Sequence, residues 1–237
     1  MKVLRNILFL SLIFFLHCKE NKDNDNFVIY TIDPTSKNLR LFWKKQNGEI
    51  FKNIKNLKDD LNLKNEKLIF AMNGGMYEKN NIPKGLYIEH FKHYRKIDTL
   101  KGKGNFYLQP NGIFYLTRNN EAQIVETKKF KNNSAIKFAT QSGPMLLLNG
   151  TINPIFQKKS KNLNIRNGVG ILNDGTLVFV MSKKEINFYD FALMFKKMNC
   201  QNALFLDGFV SRAYLPEKNW IQEDGDFGVI IAVSEKK

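Results

Sequence analysis

Asp207 and Gly208 follow directly on the apolar run Ala203-Leu204-Phe205-Leu206. An uninterrupted apolar run of this length is expected of a strand covered on both faces. A carboxylate delivered at the end of such a strand is rigidly held and still faces a cleft, and Gly208 lets backbone or ligand approach closely. The plainer alternative, that Asp-Gly is only a turn, stands level with it on this stretch alone. Other polar residues fall at the ends of predicted strands: Asn73, Glu89, Gln141, Ser142, Arg166, Ser211 and Arg212. A carboxyl can protonate a leaving oxygen or activate water, as in glycoside hydrolysis. Arginine offers a planar fork for phosphate. Together these are the tools for binding and cleaving an anionic sugar derivative. Taken singly, each is more often a hydrogen-bonded turn or a surface charge.

The segments that would position these groups follow from the pattern. Asn187 is a good N-cap, answered by Asp190, and Phe188, Phe191, Ala192, Phe195 and Met198 share one helical face. Lys67–Met72 reads as a buried strand running into Asn73-Gly74-Gly75, a loop whose N–H groups are free to face a ligand. Ile54, Leu57, Leu61 and Leu63 predict a short helix before it. Phe27–Ile32 and Leu39–Lys45 read as a hairpin around Asp33-Pro34. A second hairpin is expected where Phe106–Leu108 and Gly112–Leu116 flank Gln109-Pro110-Asn111. Gln141-Ser142-Gly143-Pro144 forms a turn between two apolar strands. Asn173-Asp174-Gly175 turns a hairpin with Arg166 at its open side. The expectation is one strand-rich α+β domain over 27–237, with a mixed sheet and few helices.

The 237 residues, 43% hydrophobic with 20 Phe, are ample for a large core. The net charge of +15 is dispersed rather than gathered into a stripe. That argues against nucleic-acid binding and is compatible with an anionic substrate or glycan, or simply with biased base composition. Residues 1–17 carry Lys2 and Arg5 and then an apolar run to Leu16, too short to span a bilayer, which reads as an export signal. The run ends at Cys18, as in lipoprotein signals, although His17 stands where a small residue is usual. Cys18 is therefore expected to carry lipid, with 18–26 a polar tether and the protein anchored to the membrane on the periplasmic side or at the cell surface. Cys200 then has no disulfide partner and reads as a buried small hydrophobe. No zinc spacing, Walker loop or G-x-S-x-G elbow is present. The sequence requires no cofactor; a divalent cation on Asp207 is compatible with it. Nothing in it fixes the oligomeric state.

Six segments in series resemble the phosphodiester glycosidase family: Ala71–Tyr77, Gly85–Glu89, Asn105–Leu116, Ala139–Leu147, Ile165–Ile171 and Asn187–Glu217. The resemblance implies hydrolysis of the bond between a sugar's anomeric carbon and phosphate within a phosphodiester. It places the family's Asn-Gly-Gly on Asn73, Gly74 and Gly75, its arginine on Arg166, and its Leu-Asp-Gly on Leu206, Asp207 and Gly208. Asp207 and Glu89 are then the candidate catalytic carboxyls. Gln141, Ser142, Ser211 and Arg212 join the candidate substrate-binding set. Many members continue Asp-Gly-Gly-Gly-Ser, whereas here Phe209 and Val210 replace two glycines. A non-catalytic, lipid-anchored glycan- or polymer-binding protein is the alternative that this departure favours.

Overall fold

The computed structural model describes residues 25–237; the segment expected to be an export signal, Cys18 and most of the expected tether lie outside them. Three large antiparallel sheets surround a central core, and a two-stranded ribbon, Tyr77–Glu78 with Ile82–Pro83, accompanies them. The first runs Phe27–Ile32, Leu177–Ser182, Asn167–Ile171, Asn202–Asp207, Met145–Leu148, Thr151–Ile152. The second runs Lys92–Arg95, Tyr87–Glu89, Ile136–Ser142, Gly112–Thr117, Ala122–Glu126. The third runs Trp220–Ile221, Ala213–Leu215, Glu66–Asn73, Ile230–Lys236, Asn38–Phe42. With two α-helices beside them, this is the expected strand-rich α+β domain, its sheet resolved into antiparallel pieces.

The sheets meet at Phe179. Its ring lies 5.1 Å from that of Phe70 in the third sheet and 6.3 Å from that of Phe114 in the second. Phe70 in turn stacks on Tyr30 at 4.4 Å. Each such aromatic pair adds about 0.5–1.5 kcal/mol beyond the area it buries. Phenylalanine abundance is thus spent on joining three layers.

The apolar runs behave as strands covered on both faces should. Leu204 and Leu206 turn into the central core, while Ala203 and Phe205 turn out beneath helix Phe188–Lys197. That helix is capped as its sequence demands: Asn187 Oδ1 accepts from Asp190 N at 2.9 Å, and Asn187 Nδ2 donates to Asp190 Oδ2 at 2.8 Å. Its buried face is Phe188, Phe191, Ala192, Met194 and Phe195. Helix Ile54–Leu63 covers the third sheet with Ile54, Leu57 and Leu61. Leu63 does not join that face and is 89% exposed, because two residues beyond Leu61 the helical turn carries it to the opposite side.

Two predicted hairpins are not formed. Phe27–Ile32 pairs with Leu177–Ser182, and Asn38–Phe42 pairs with Ile230–Lys236. The Asp33 turn carries the chain from one sheet to another instead of folding it back, since each strand finds a longer apolar partner elsewhere. Likewise Asn105–Tyr107 is a single 3-10 turn, and Gly112–Thr117 pairs with Ala122–Glu126 and Ile136–Ser142. Cys200 is buried, and burial pushes its thiol up to about 12, as befits a small apolar filler.

Candidate functional site

Strand Asn202–Asp207 lies inside the first sheet, between Asn167–Ile171 and Met145–Leu148. With Leu206 committed to the core, Asp207 emerges where the strand stops. The residue is half-buried: one side opens to a pocket and the rest is enclosed. Its carboxylate accepts backbone N–H groups of Gly208 and Phe209, which favour the charged form. Burial outweighs them and raises its pKa to about 7. The pocket holds about 480 Å³, within the range usual for small-molecule sites. Asp207, Phe209 and Val210 line it from one loop, Met76–Lys79 and Lys84 from a second segment, and Lys103–Phe106 from a third.

The peptide of Asp207 is held by residues far apart in the chain. Its N–H donates to Asn167 Oδ1 at 2.9 Å. Its carbonyl accepts from Ser211 Oγ at 2.7 Å, and the preceding carbonyl of Leu206 accepts from Ser142 Oγ at 2.6 Å. Asn167 Nδ2 donates to Asn73 twice, to the backbone oxygen at 2.9 Å and to Oδ1 at 2.8 Å. Asn73 Oδ1 also accepts from Arg212 N at 3.0 Å. A backbone N–H can only donate, so the Asn73 amide is fixed in this orientation. Its Nδ2 is left buried without a partner. An unmatched buried donor costs about 1–3 kcal/mol, and such costs are concentrated at functional sites.

Five sequence-predicted residues therefore meet around Asp207: Asn73, Ser142, Gly208, Ser211 and the backbone of Arg212. The rest serve other ends. Gly74 spends its N–H on Val229 O at 2.7 Å, so that group does not face a ligand. A Cβ on Gly75 would sit 2.5 Å from Thr140 Oγ1, which makes this glycine a packing requirement. Gln141 is saturated: Oε1 accepts from Leu86 N and Asp98 N, both at 2.9 Å, and Nε2 donates to Asp98 O at 2.6 Å. It is a strut between loops.

Arg166 does not line the pocket of Asp207. Its guanidinium is wholly buried, 3.6 Å over the ring of Phe188. Nε donates to Ile186 O at 2.8 Å and Nη2 to Asn162 O at 2.9 Å, while Nη1 lacks a partner. Burial lowers its pKa to about 10, so it remains charged at neutral pH. Arg212 turns its guanidinium to Asp224, with Nε 2.8 Å from Oδ1. Glu89 accepts from Tyr87 OH at 2.8 Å and is pushed by burial to about 7, but it also stands outside this pocket. Among the described residues, no three His, Cys, Asp or Glu converge as a metal cluster.

Sequence reasoning passed over Asn167, the centre of the network, although it adjoins Arg166 in a segment already singled out. It also passed over Tyr77, Lys84, Lys103 and Phe106, which carry no signal in a chain rich in lysine and aromatics.

A family model described as phosphodiester glycosidase matches residues 66–229, and the chain belongs to that family, whose members act on sugar phosphodiesters. "Uncharacterized protein YigE" of Escherichia coli (strain K12) is 40% identical over 187 residues, 78% of this chain and 73% of that protein. Among solved structures, the fold is similar to the zebrafish N-acetylglucosamine-1-phosphodiester alpha-N-acetylglucosaminidase catalytic domain, auto-inhibited by its pro-peptide. The TM-score is 0.61 at 15% identity, over 89% of this chain and 82% of that one. It is also similar to a "Putative exported protein" from Burkholderia pseudomallei K96243, with TM-score 0.57 at 10% identity, over 87% of this chain and 73% of that one.

Proposed function

We propose that this protein hydrolyses the bond between the anomeric carbon of a sugar and the phosphate of a glycosyl-1-phosphodiester, with Asp207 as the catalytic carboxyl. One observation carries the proposal: a carboxyl with a pKa near neutrality, fixed at a strand end, opens on a pocket of sugar size. In the reaction the C1–O bond breaks, water supplies hydroxyl to C1, the phosphomonoester leaves with the electron pair of that bond, and the remaining proton of water passes to the phosphomonoester or to solvent. A phosphate leaves as a stable anion and asks little of an acid. The greater need is at C1, where positive charge develops. Ionised Asp207 meets it, as nucleophile or as base toward water. Asn167, Ser211 and Ser142 hold the backbone that aims the carboxyl. The export signal and Cys18 support an envelope location, with a sugar phosphodiester or anionic glycan as partner.

The test is a panel of sugar-1-phosphodiesters, N-acetylglucosamine-1-phosphodiesters first, offered to the purified chain. Free sugar and phosphomonoester in equal amounts are expected. Saturable binding with no sugar released from any member would instead favour the non-catalytic glycan binder.

A further inference from the structure

Within the pocket of Asp207, three lysines stand without carboxylate partners. Lys79, Lys84 and Lys103 all line it, and none forms an ion pair among the described residues. The other acid of the pocket, Glu78, is engaged by Arg95, with Nη2 3.0 Å from Oε2. Lys84 is the best fixed: it is half-buried, with Nζ 4.6 Å from the ring centre of Tyr107 and 5.2 Å from that of Phe106. Beside these cations, Phe209 is 92% exposed at the pocket, next but one after the acid. An aromatic ring left in water beside a charged pocket is suited to stack on a ligand, and contact with a flat apolar face would remove it from water. The two arginines named from sequence turn to Asn162, Ile186 and Asp224, so the phosphate's cation must come from elsewhere in the pocket.

We propose that Lys84, with Lys79 and Lys103, holds the substrate's phosphate, and that Phe209 is the platform for an aglycone presenting a flat or apolar face. The sugar then lies inward on Asp207, the phosphate on the lysines, and the aglycone outward across Phe209. This rests on the hydrolase reading above and adds the class of leaving group.

The experiment compares phenyl and methyl esters of N-acetylglucosamine-1-phosphate on the full chain, by kcat/KM and by calorimetric binding. The wild type should favour the phenyl ester about 3- to 10-fold, the range of one aromatic contact. Phe209→Ala should bring that ratio close to one, and Phe209→Trp should keep it. Lys84→Ala should raise KM, or Kd, for both esters about tenfold and flatten the dependence on salt. If both esters are hydrolysed but Phe209→Ala leaves the ratio as it was, the platform is refuted and the hydrolase stands. If neither ester is hydrolysed, the hydrolase fails. Calorimetry then decides the platform: phenyl-selective binding lost on Phe209→Ala supports it, and equal or absent binding refutes it.

Discussion

Asn167 accepts the backbone N–H of Asp207 at 2.9 Å while its own Nδ2 grips Asn73, 94 positions earlier in the chain. One amide thus ties the acid of the first sheet to the last residue of a strand in the third. Removing it leaves the Asp207 N–H without its acceptor and takes one donor from Asn73, whose Oδ1 keeps only the N–H of Arg212. Asn167→Ala should lower kcat on the order of 10- to 100-fold, the scale of an ångström-sized misplacement. It should also cost about 1–3 kcal/mol of stability. Steady-state kinetics and thermal denaturation check both; unchanged kcat would show that the amide does not aim the acid.

The pH dependence follows from Asp207. Its folded pKa, about 7, lies above the usual aspartate value because burial disfavours the charge. If the carboxylate is the working form, kcat/KM rises with pH through about 7 and then levels. A profile that falls through this range would make the protonated acid the working form.

The same shift has a thermodynamic consequence. A folded state that binds the proton more tightly is favoured most below the unfolded pKa of about 3.9 and loses that advantage as pH rises toward 7. Glu89, raised to about 7 by burial, acts in the same direction. Asp207→Asn should therefore gain in Tm relative to wild type on going from pH 5 to pH 8, by about 2–4 °C per kcal/mol of relieved burial. A Tm difference independent of pH would contradict the assignment.

Gly75 and Thr140 should couple. A methyl at 75 would meet Thr140 Oγ1 at 2.5 Å, while Thr140 Cβ is 3.8 Å away. Gly75→Ala is expected to cost about 1–3 kcal/mol, the usual penalty of overpacking. Adding Thr140→Ala should recover part of it. The double-mutant cycle measures this directly, and additive losses would show that the crowding lies elsewhere.

Arg166 is a structural cation in this geometry. Arg166→Lys keeps the charge but not the fork that serves Ile186 and Asn162 or the stacking on Phe188. A loss of about 2–4 kcal/mol is expected, read as a lower denaturant midpoint. A midpoint equal to wild type would return Arg166 to the candidates for substrate contact.

The sequence made some of this legible and hid the rest for physical reasons. Ala203–Leu206 announced a doubly covered strand because both faces are indeed packed, and Asn187 with Asp190 announced a helix start because capping is local. The Asn173–Gly175 turn and its hairpin were legible for the same reason. Strand partners were not: whether Phe27–Ile32 pairs with its neighbour or with Leu177–Ser182 depends on contacts some 150 positions away. In the site, the residue types were legible but not their directions. Gln141, Arg166 and Arg212 have the chemistry of ligand contacts, and only three-dimensional neighbours show their groups engaged by protein. Asn167 was invisible because an asparagine before a glycine resembles any turn.

The most direct measurement is sugar release from an N-acetylglucosamine-1-phosphodiester by wild type and by Asp207→Asn, both confirmed folded by thermal denaturation. The account predicts turnover by the wild type and a fall on the order of 10²- to 10⁴-fold in the variant. Turnover by Asp207→Asn at the wild-type rate would contradict it.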